Sequence, residues 1–89
     1  GHTLVIPKRN VSNYFDLSFR EQSACWFLVN LIKADLQKQF NPEGFNVGIN
    51  VNETAGQTIP HAHIIPRYVG DVEDPLGGVR GIIPWKKEY

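Results

Sequence analysis

Methionine is absent from the 89 residues and the chain opens on Gly1, which reads as a processed chain or a fragment of a longer one. A single cysteine, Cys25, excludes an intramolecular disulfide and points to a reducing compartment, the cytoplasm. No apolar stretch approaches the roughly 20 residues that a membrane span requires, and the start lacks the basic-then-apolar pattern of a signal peptide. Net charge is missing too. Nine Lys and Arg balance nine Asp and Glu, so the chain lacks the electrostatic footprint of a protein that wraps nucleic acid or lies on an anionic membrane. A small phosphate-bearing ligand stays open, because a few local donors suffice to hold it.

What is present is enough for one small domain. Thr3-Leu4-Val5-Ile6-Pro7 is β-branched and apolar until the proline and reads as a buried strand. Lys8 to Asp16 is polar and reads as an irregular connection. Ser18 with Glu21 forms a capping box that opens a helix. Cys25, Leu28, Val29, Ile32, Leu36 and Phe40 then recur at helical spacing as one apolar stripe, with Cys25 a plain core residue within it. Asn41-Pro42-Glu43-Gly44 ends the helix.

From Phe45 to Asn52 the pattern alternates: Phe45, Val47, Ile49 and Val51 on one face, Asn46, Gly48, Asn50 and Asn52 on the other. After a turn at Glu53-Thr54-Ala55-Gly56, Thr58 to Ile65 reads as a further strand with Ile59, His61, His63 and Ile65 on one face. Pro60 must sit where the ladder needs no donor. From Pro66 onward, glycine and proline recur every few residues, which predicts an irregular tail that wraps a surface or a partner. The order strand, helix, strand, strand fits an α+β arrangement, an antiparallel sheet with one long helix packed on it.

The residues that could carry chemistry concentrate in Gly56-Gln57-Thr58-Ile59-Pro60-His61-Ala62-His63. Two histidines two apart on a strand have Cα atoms about 6.6 Å apart on one face, so their imidazoles can converge on one substrate. Gln57 and Thr58 offer side-chain donors, and Asn52 can share the cleft. Neutral imidazole, amide and hydroxyl groups around an open turn suit a phosphate where no metal is used. Two other readings compete: an incidental exposed pair, and a partial metal site with His2 as third ligand. No Cys or carboxylate stands at ligand spacing nearby, so no metal and no cofactor is expected. Gly77-Gly78-Val79-Arg80-Gly81 lacks the lysine and the strand-to-helix context of a phosphate loop and reads as flexible tail.

Several separated motifs resemble the second part of a histidine triad (HIT) domain. Gly1-His2-Thr3-Leu4-Val5-Ile6-Pro7-Lys8-Arg9 is similar to its opening strand, and Asn52 to Thr58 to the approach to its active-site strand. His61-Ala62-His63-Ile64-Ile65-Pro66-Arg67 resembles its signature of alternating histidines followed by Pro-Arg. Gly70-Asp71-Val72 and Gly77 to Gly81 resemble the tail of bacterial diadenosine polyphosphate hydrolase-like members. The resemblance implies a partial HIT-like fold, with residues 1–69 the C-terminal portion of the family domain and 70–89 a tail.

Two features depart from the pattern. The family has three alternating histidines and this chain has two. Because two residues is the strand period, the faces survive the deletion. Anchored from Gln57, His61 is the first histidine, His63 the nucleophile, and Ile65 stands where the third belongs. Anchored from Pro66-Arg67, His61 is the nucleophile and His63 the third. The first alignment is preferred, since residues 59–63 continue the usual upstream half. The second departure is that the helix and two strands that precede the Gly-His strand in the family are not in this sequence.

The resemblance implies that histidine attacks the α-phosphorus of a nucleotide, that a nucleotidyl-histidine forms, and that water releases the monophosphate. It implies His63, His61 and His2 as the catalytic set, and Asn52, Gln57 and Thr58 as phosphate holders. It implies a small-molecule nucleotide as ligand and a homodimer as the assembly. The alternatives are a catalytically impaired nucleotide-binding or dimerisation module, and a metal-binding pair. Trp85, Lys86, Lys87 and Tyr89 read either as a solvated end or as a reach into a neighbouring site.

Overall fold

The computed structural model describes residues 1–87; Tyr89 of the tail lies outside them. β1 (Thr3–Val5), α1 (Phe19–Phe40), β2 (Gly44–Ile49) and β3 (Ala62–Arg67) follow one another along the chain. The sheet is antiparallel in the order β1-β3-β2, so the histidine strand is central. α1 packs on one face.

The helix begins and ends where its caps dictate. The Ser18 hydroxyl accepts from the Glu21 N–H at 3.1 Å, and the Glu21 carboxylate accepts from the Ser18 N–H at 2.9 Å. Asn41 closes the helix in the left-handed conformation with φ 49°. Arg9 grips Glu21 from the β1 exit at 2.8 Å, tying the helix start to the sheet. That bond, with the Ser18 N–H next in strength, holds the Glu21 carboxyl at about 2. The connection is less irregular than its composition suggests: Tyr14–Asp16 form a 3₁₀ turn capped by Asn13, and Trp26 Nε1 donates to the Tyr14 hydroxyl at 2.9 Å.

Val5, Val29, Leu36, Ala62 and Ile64 form the core, with Cys25, Ile32, Phe45, Val47 and Ile49 packed around it. Burial pushes the Cys25 thiol pKa up, as expected of a core cysteine. Two members of the expected helix stripe fall short of burial: Leu28 is 45% and Phe40 46% exposed. A helix of 22 residues is about 33 Å long, more than a three-stranded sheet covers.

Several strand boundaries differ from the expected ones, and β1 ends at Val5 rather than Pro7. β2 runs from Gly44 and stops at Ile49 rather than continuing to Asn52, because the chain turns at Asn52, which has φ 67°. β3 starts at Ala62, not Thr58, and runs through Pro66 to Arg67. Ala62 is the first residue with partners on both sides, Val5 and Ile49, while Thr58 to Pro60 is bent. Pro66 is tolerated because it lies beyond Ile64, the last residue in the β1 register, and pairs only with Phe45 of β2.

The tail is also more ordered than predicted. Gly78–Ile82 and Pro84–Lys86 form 3₁₀ turns. Among the described residues no helix is long and apolar enough to cross a membrane.

Candidate active site

Strand alternation divides β3 into two faces. Ala62, Ile64 and Pro66 turn towards the helix and are buried; His63 and Ile65 stand on the opposite face and are half-buried. The β1 register puts Leu4 opposite His63, so His2, two residues earlier, shares that face. The three histidines of the chain therefore meet. His2 Nε2 lies 2.8 Å from His63 Nδ1, and His61 Nε2 lies 2.9 Å from His63 Nε2. The rings are tilted, with centroids 5.0 Å and 4.3 Å apart.

Each of these contacts requires one proton between two nitrogens. With three neutral imidazoles only two arrangements satisfy both. In one, His61 Nε2–H donates to His63 Nε2, His63 Nδ1–H donates to His2 Nε2, and His61 Nδ1 is bare. In the other every direction reverses, and His61 Nδ1 carries a proton. His61 Nδ1 is buried without a hydrogen-bond partner. An orphaned buried N–H is rarer than an under-used acceptor, so the first arrangement is favoured. It leaves a lone pair on His63 Nε2 and sets a donor, His61 Nε2–H, beside it. Burial, then the proximity of His61, then that of His2, lowers the His63 pKa below its ordinary value, so at pH 7 this imidazole is neutral.

Both nitrogens of His63 are thus engaged with other histidines. Zinc ligands held at about 2.0–2.1 Å in a tetrahedron would stand farther apart than these contacts. Among the described residues no group of three or more His, Cys, Asp or Glu has the geometry to hold a metal ion.

His2 and His63 form part of a groove of about 380 Å³ on the face away from the helix. β2 supplies one side of it. Gly48 is the partner of His63 across the ladder, and a Cβ there would meet nothing within 4 Å, so the space over the imidazole is open. Asn46 lines the same groove. Its Oδ1 accepts from Arg67 Nη1 at 2.5 Å, which leaves its NH₂ as a free donor. Arg67 is in turn clamped by the Asp71 carboxylate at 2.7 and 2.8 Å. This bond, then the Tyr68 N–H, holds the Asp71 carboxyl far below the ordinary carboxylate range. Asn46, Asn50 and Gly48 were not singled out as site residues from the sequence. The signal was the asparagine-rich alternating face of residues 46–52.

The residues expected to hold phosphate are elsewhere. Gln57 Oε1 accepts from the Asn52 N–H at 2.6 Å, and its Nε2 donates to the Ser12 carbonyl at 2.5 Å. Both ends of that amide therefore brace the turn against the β1–α1 connection. Asn52 and Thr58 are exposed. None of the three lines the groove that contains His2 and His63.

Residues 1–70 match the HIT domain family. The chain belongs to the HIT family. It is 38% identical over 76 residues to bis(5'-adenosyl)-triphosphatase of Dictyostelium discoideum, covering 83% of this chain and 51% of that protein. It is also 38% identical over 76 residues to the asymmetrical bis(5'-nucleosyl)-tetraphosphatase of Schizosaccharomyces pombe, covering 83% and 42%. Among solved HIT structures, a HIT family protein from Bacillus anthracis superposes with a TM-score of 0.71 at 43% identity, over 75% of this chain and 49% of that one. The chain spans about half the length, or less, of these relatives. The partial HIT fold, one helix on an antiparallel sheet, agrees with that coverage.

Proposed function

We propose that this chain carries the nucleophilic half of a nucleotide hydrolase that cleaves diadenosine polyphosphates or related nucleotides at the α-phosphate. The observation that carries the reading is the chain of contacts from His61 through His63 to His2, with His63 lining an open groove; its favoured tautomer leaves His63 Nε2 unprotonated beside the His61 N–H. Relatives that hydrolyse bis-nucleosyl polyphosphates, by their names, support the substrate class.

In this reading an α-phosphate oxygen replaces His63 as acceptor of the His61 Nε2–H, which releases the lone pair for attack. The His63 Nε2–P bond forms and the P–O bond to the leaving nucleotide breaks. The Nδ1 proton, made acidic by substitution on the ring, moves to His2 Nε2. His2 is exposed, so water solvates the resulting imidazolium. Water then attacks phosphorus, the N–P bond breaks, and the nucleoside monophosphate leaves while the protons return. Asn46 donates to a phosphate oxygen; a donor of this kind is worth about 10²–10³ in rate. Gln57 acts on this site by bracing the turn before β3, through the Asn52 N–H and the Ser12 carbonyl.

Residues 1–69 carry the chemistry in this proposal, and Gly78, Val79 and Ile82 of the 70–89 tail line the groove. The compartment in this proposal is a reducing one such as the cytoplasm, and the assembly is a homodimer, as the family resemblance implies. A second reading, a binding module with little turnover, is favoured by Ile65, an aliphatic side chain beside His63 in the groove where a third donor would assist the leaving group. Release of AMP from diadenosine triphosphate, followed chromatographically, separates the two. Turnover lost in His63→Ala supports the hydrolase. AMP binding without any turnover in the parent chain supports the binding module.

A further inference from the structure

Asn46 supplies the amide that the reading above sets against the phosphate, and an amide has two unlike ends. The strand register fixes where it stands. Gly48 is opposite His63 on β2, so Asn46, two residues earlier, is a diagonal neighbour of His63 on the groove face. Ile65 is opposite Asn46, and Arg67, two residues on, is its other diagonal neighbour on that face.

Arg67 decides which end of the amide faces the groove. A guanidinium only donates. Its Nη1 donates to Asn46 Oδ1, so the NH₂ lies on the far side of the amide. There it borders Gly78, which lines the groove: a Cβ on Gly78 would be 3.6 Å from Asn46 Nδ2. Arg67 is itself held. The Asp71 carboxylate accepts from Nε and Nη2 at 2.7 and 2.8 Å, a two-bond fork that leaves Nη1 for the asparagine. Asp71 in turn accepts from the Tyr68 N–H at 3.0 Å. The hold matters because the terminal torsion of an asparagine is broad and roughly two-fold. A flipped amide would turn its carbonyl oxygen on a phosphate that offers only acceptor oxygens.

We infer that Arg67, fixed by Asp71, is a positioning residue that locks the Asn46 amide with its NH₂ towards the phosphate. Its charge is spent on Asp71 rather than on the ligand. The inference rests on the nucleotide reading above and deepens it.

The test is a double-mutant cycle on the 89-residue chain: wild type, Arg67→Met, Asn46→Ala and the double variant, with far-UV circular dichroism to check the fold. Turnover of diadenosine triphosphate is read first, and AMP affinity by NMR titration carries the same cycle if the chain binds without turnover. Arg67→Met should lower kcat about tenfold or more, part of the 10²–10³ that such a donor supplies. In the Asn46→Ala background the same substitution should change kcat less than about twofold, because the amide it positions is gone. Arg67→Lys keeps the charge but lacks the planar fork, so it should resemble Arg67→Met. A nuclear Overhauser contact between the Asn46 side-chain NH₂ and the Gly78 α-protons should be present in wild type and weakened in Arg67→Met. Effects that multiply in the double variant, or wild-type turnover in Arg67→Lys, would overturn the lock and leave the nucleotide reading standing. Wild type that neither turns over the substrate nor binds AMP would overturn the nucleotide reading, and this inference with it.

Discussion

The two faces of β3 make the most instructive comparison in the molecule. Ala62 and Ile64 are 0% exposed and pack under the helix. His63 sits between them in sequence, yet looks onto an open groove, with Leu4 opposite it on β1 and only a glycine, Gly48, opposite it on β2. Stability and chemistry therefore share one six-residue strand at alternating positions. The central place of the strand, with β1 and β2 on either side, holds the His63 backbone rigid. Residues on one face can be changed without directly altering the other.

Substitutions on each face should break function and stability separately. His63→Ala should lower turnover by roughly 10³-fold or more, while stability moves within about 1 kcal/mol; initial rates and thermal melts report the two. Ile64→Ala should do the reverse. Deleting a fully buried isoleucine side chain costs about 2–5 kcal/mol, enough to lower the Tm of a domain this size by about 8 °C or more. A melt unmoved by Ile64→Ala would refute the packed-face account.

A subtler contrast lies within the histidine face. Ile65→His restores a donor where the family pattern has its third histidine. It should raise turnover by about tenfold or more, part of the 10²–10⁴ that general acid help supplies, with little change in Tm. Gly48→Val fills the space over His63 while suiting the strand. It should raise KM about tenfold with the fold intact, as measured by steady-state kinetics beside circular dichroism.

The smallest expected effect is one of pH. His63 has a lowered pKa in the folded chain, so the unfolded state binds more protons between that value and about 6.5. Stability from this group and the population of its neutral form are both complete above about pH 6.5, and both fall as acid is added below it. The acidic limb of kcat/KM should therefore lie below 6.5. His61→Gln, which removes the nearer like-charged neighbour, should move that limb upward by part of the shift, because burial is the larger cause.

What could be read in the sequence was whatever local chemistry decides. Ser18, Glu21 and Asn41 bound the helix from its own capping groups, and alternation assigned Phe45, Val47 and Ile49 to one face. The start of β3 was not legible, because it depends on where Val5 and Ile49 arrive as partners rather than on residues 58–61. Of the six expected site residues, His2 reaches His63 only through the β1 register, a relation spanning 61 positions. Gln57 looked like a phosphate donor by composition, yet its amide is spent on Asn52 and Ser12. The tail shows what pattern reading leaves out. Gly77 was legible as a breaker, but the carbonyl of Lys87 that requires a glycine there is ten residues away.

The central claim, that His63 is a nucleophile with a bare Nε2, is tested most directly by intact-mass spectrometry after brief mixing with diadenosine triphosphate and an alkaline quench. The account predicts a mass increase equal to one adenylyl group, present in wild type and His61→Ala and absent in His63→Ala. An adduct that persists in His63→Ala and disappears in His61→Ala would contradict it and make His61 the nucleophile.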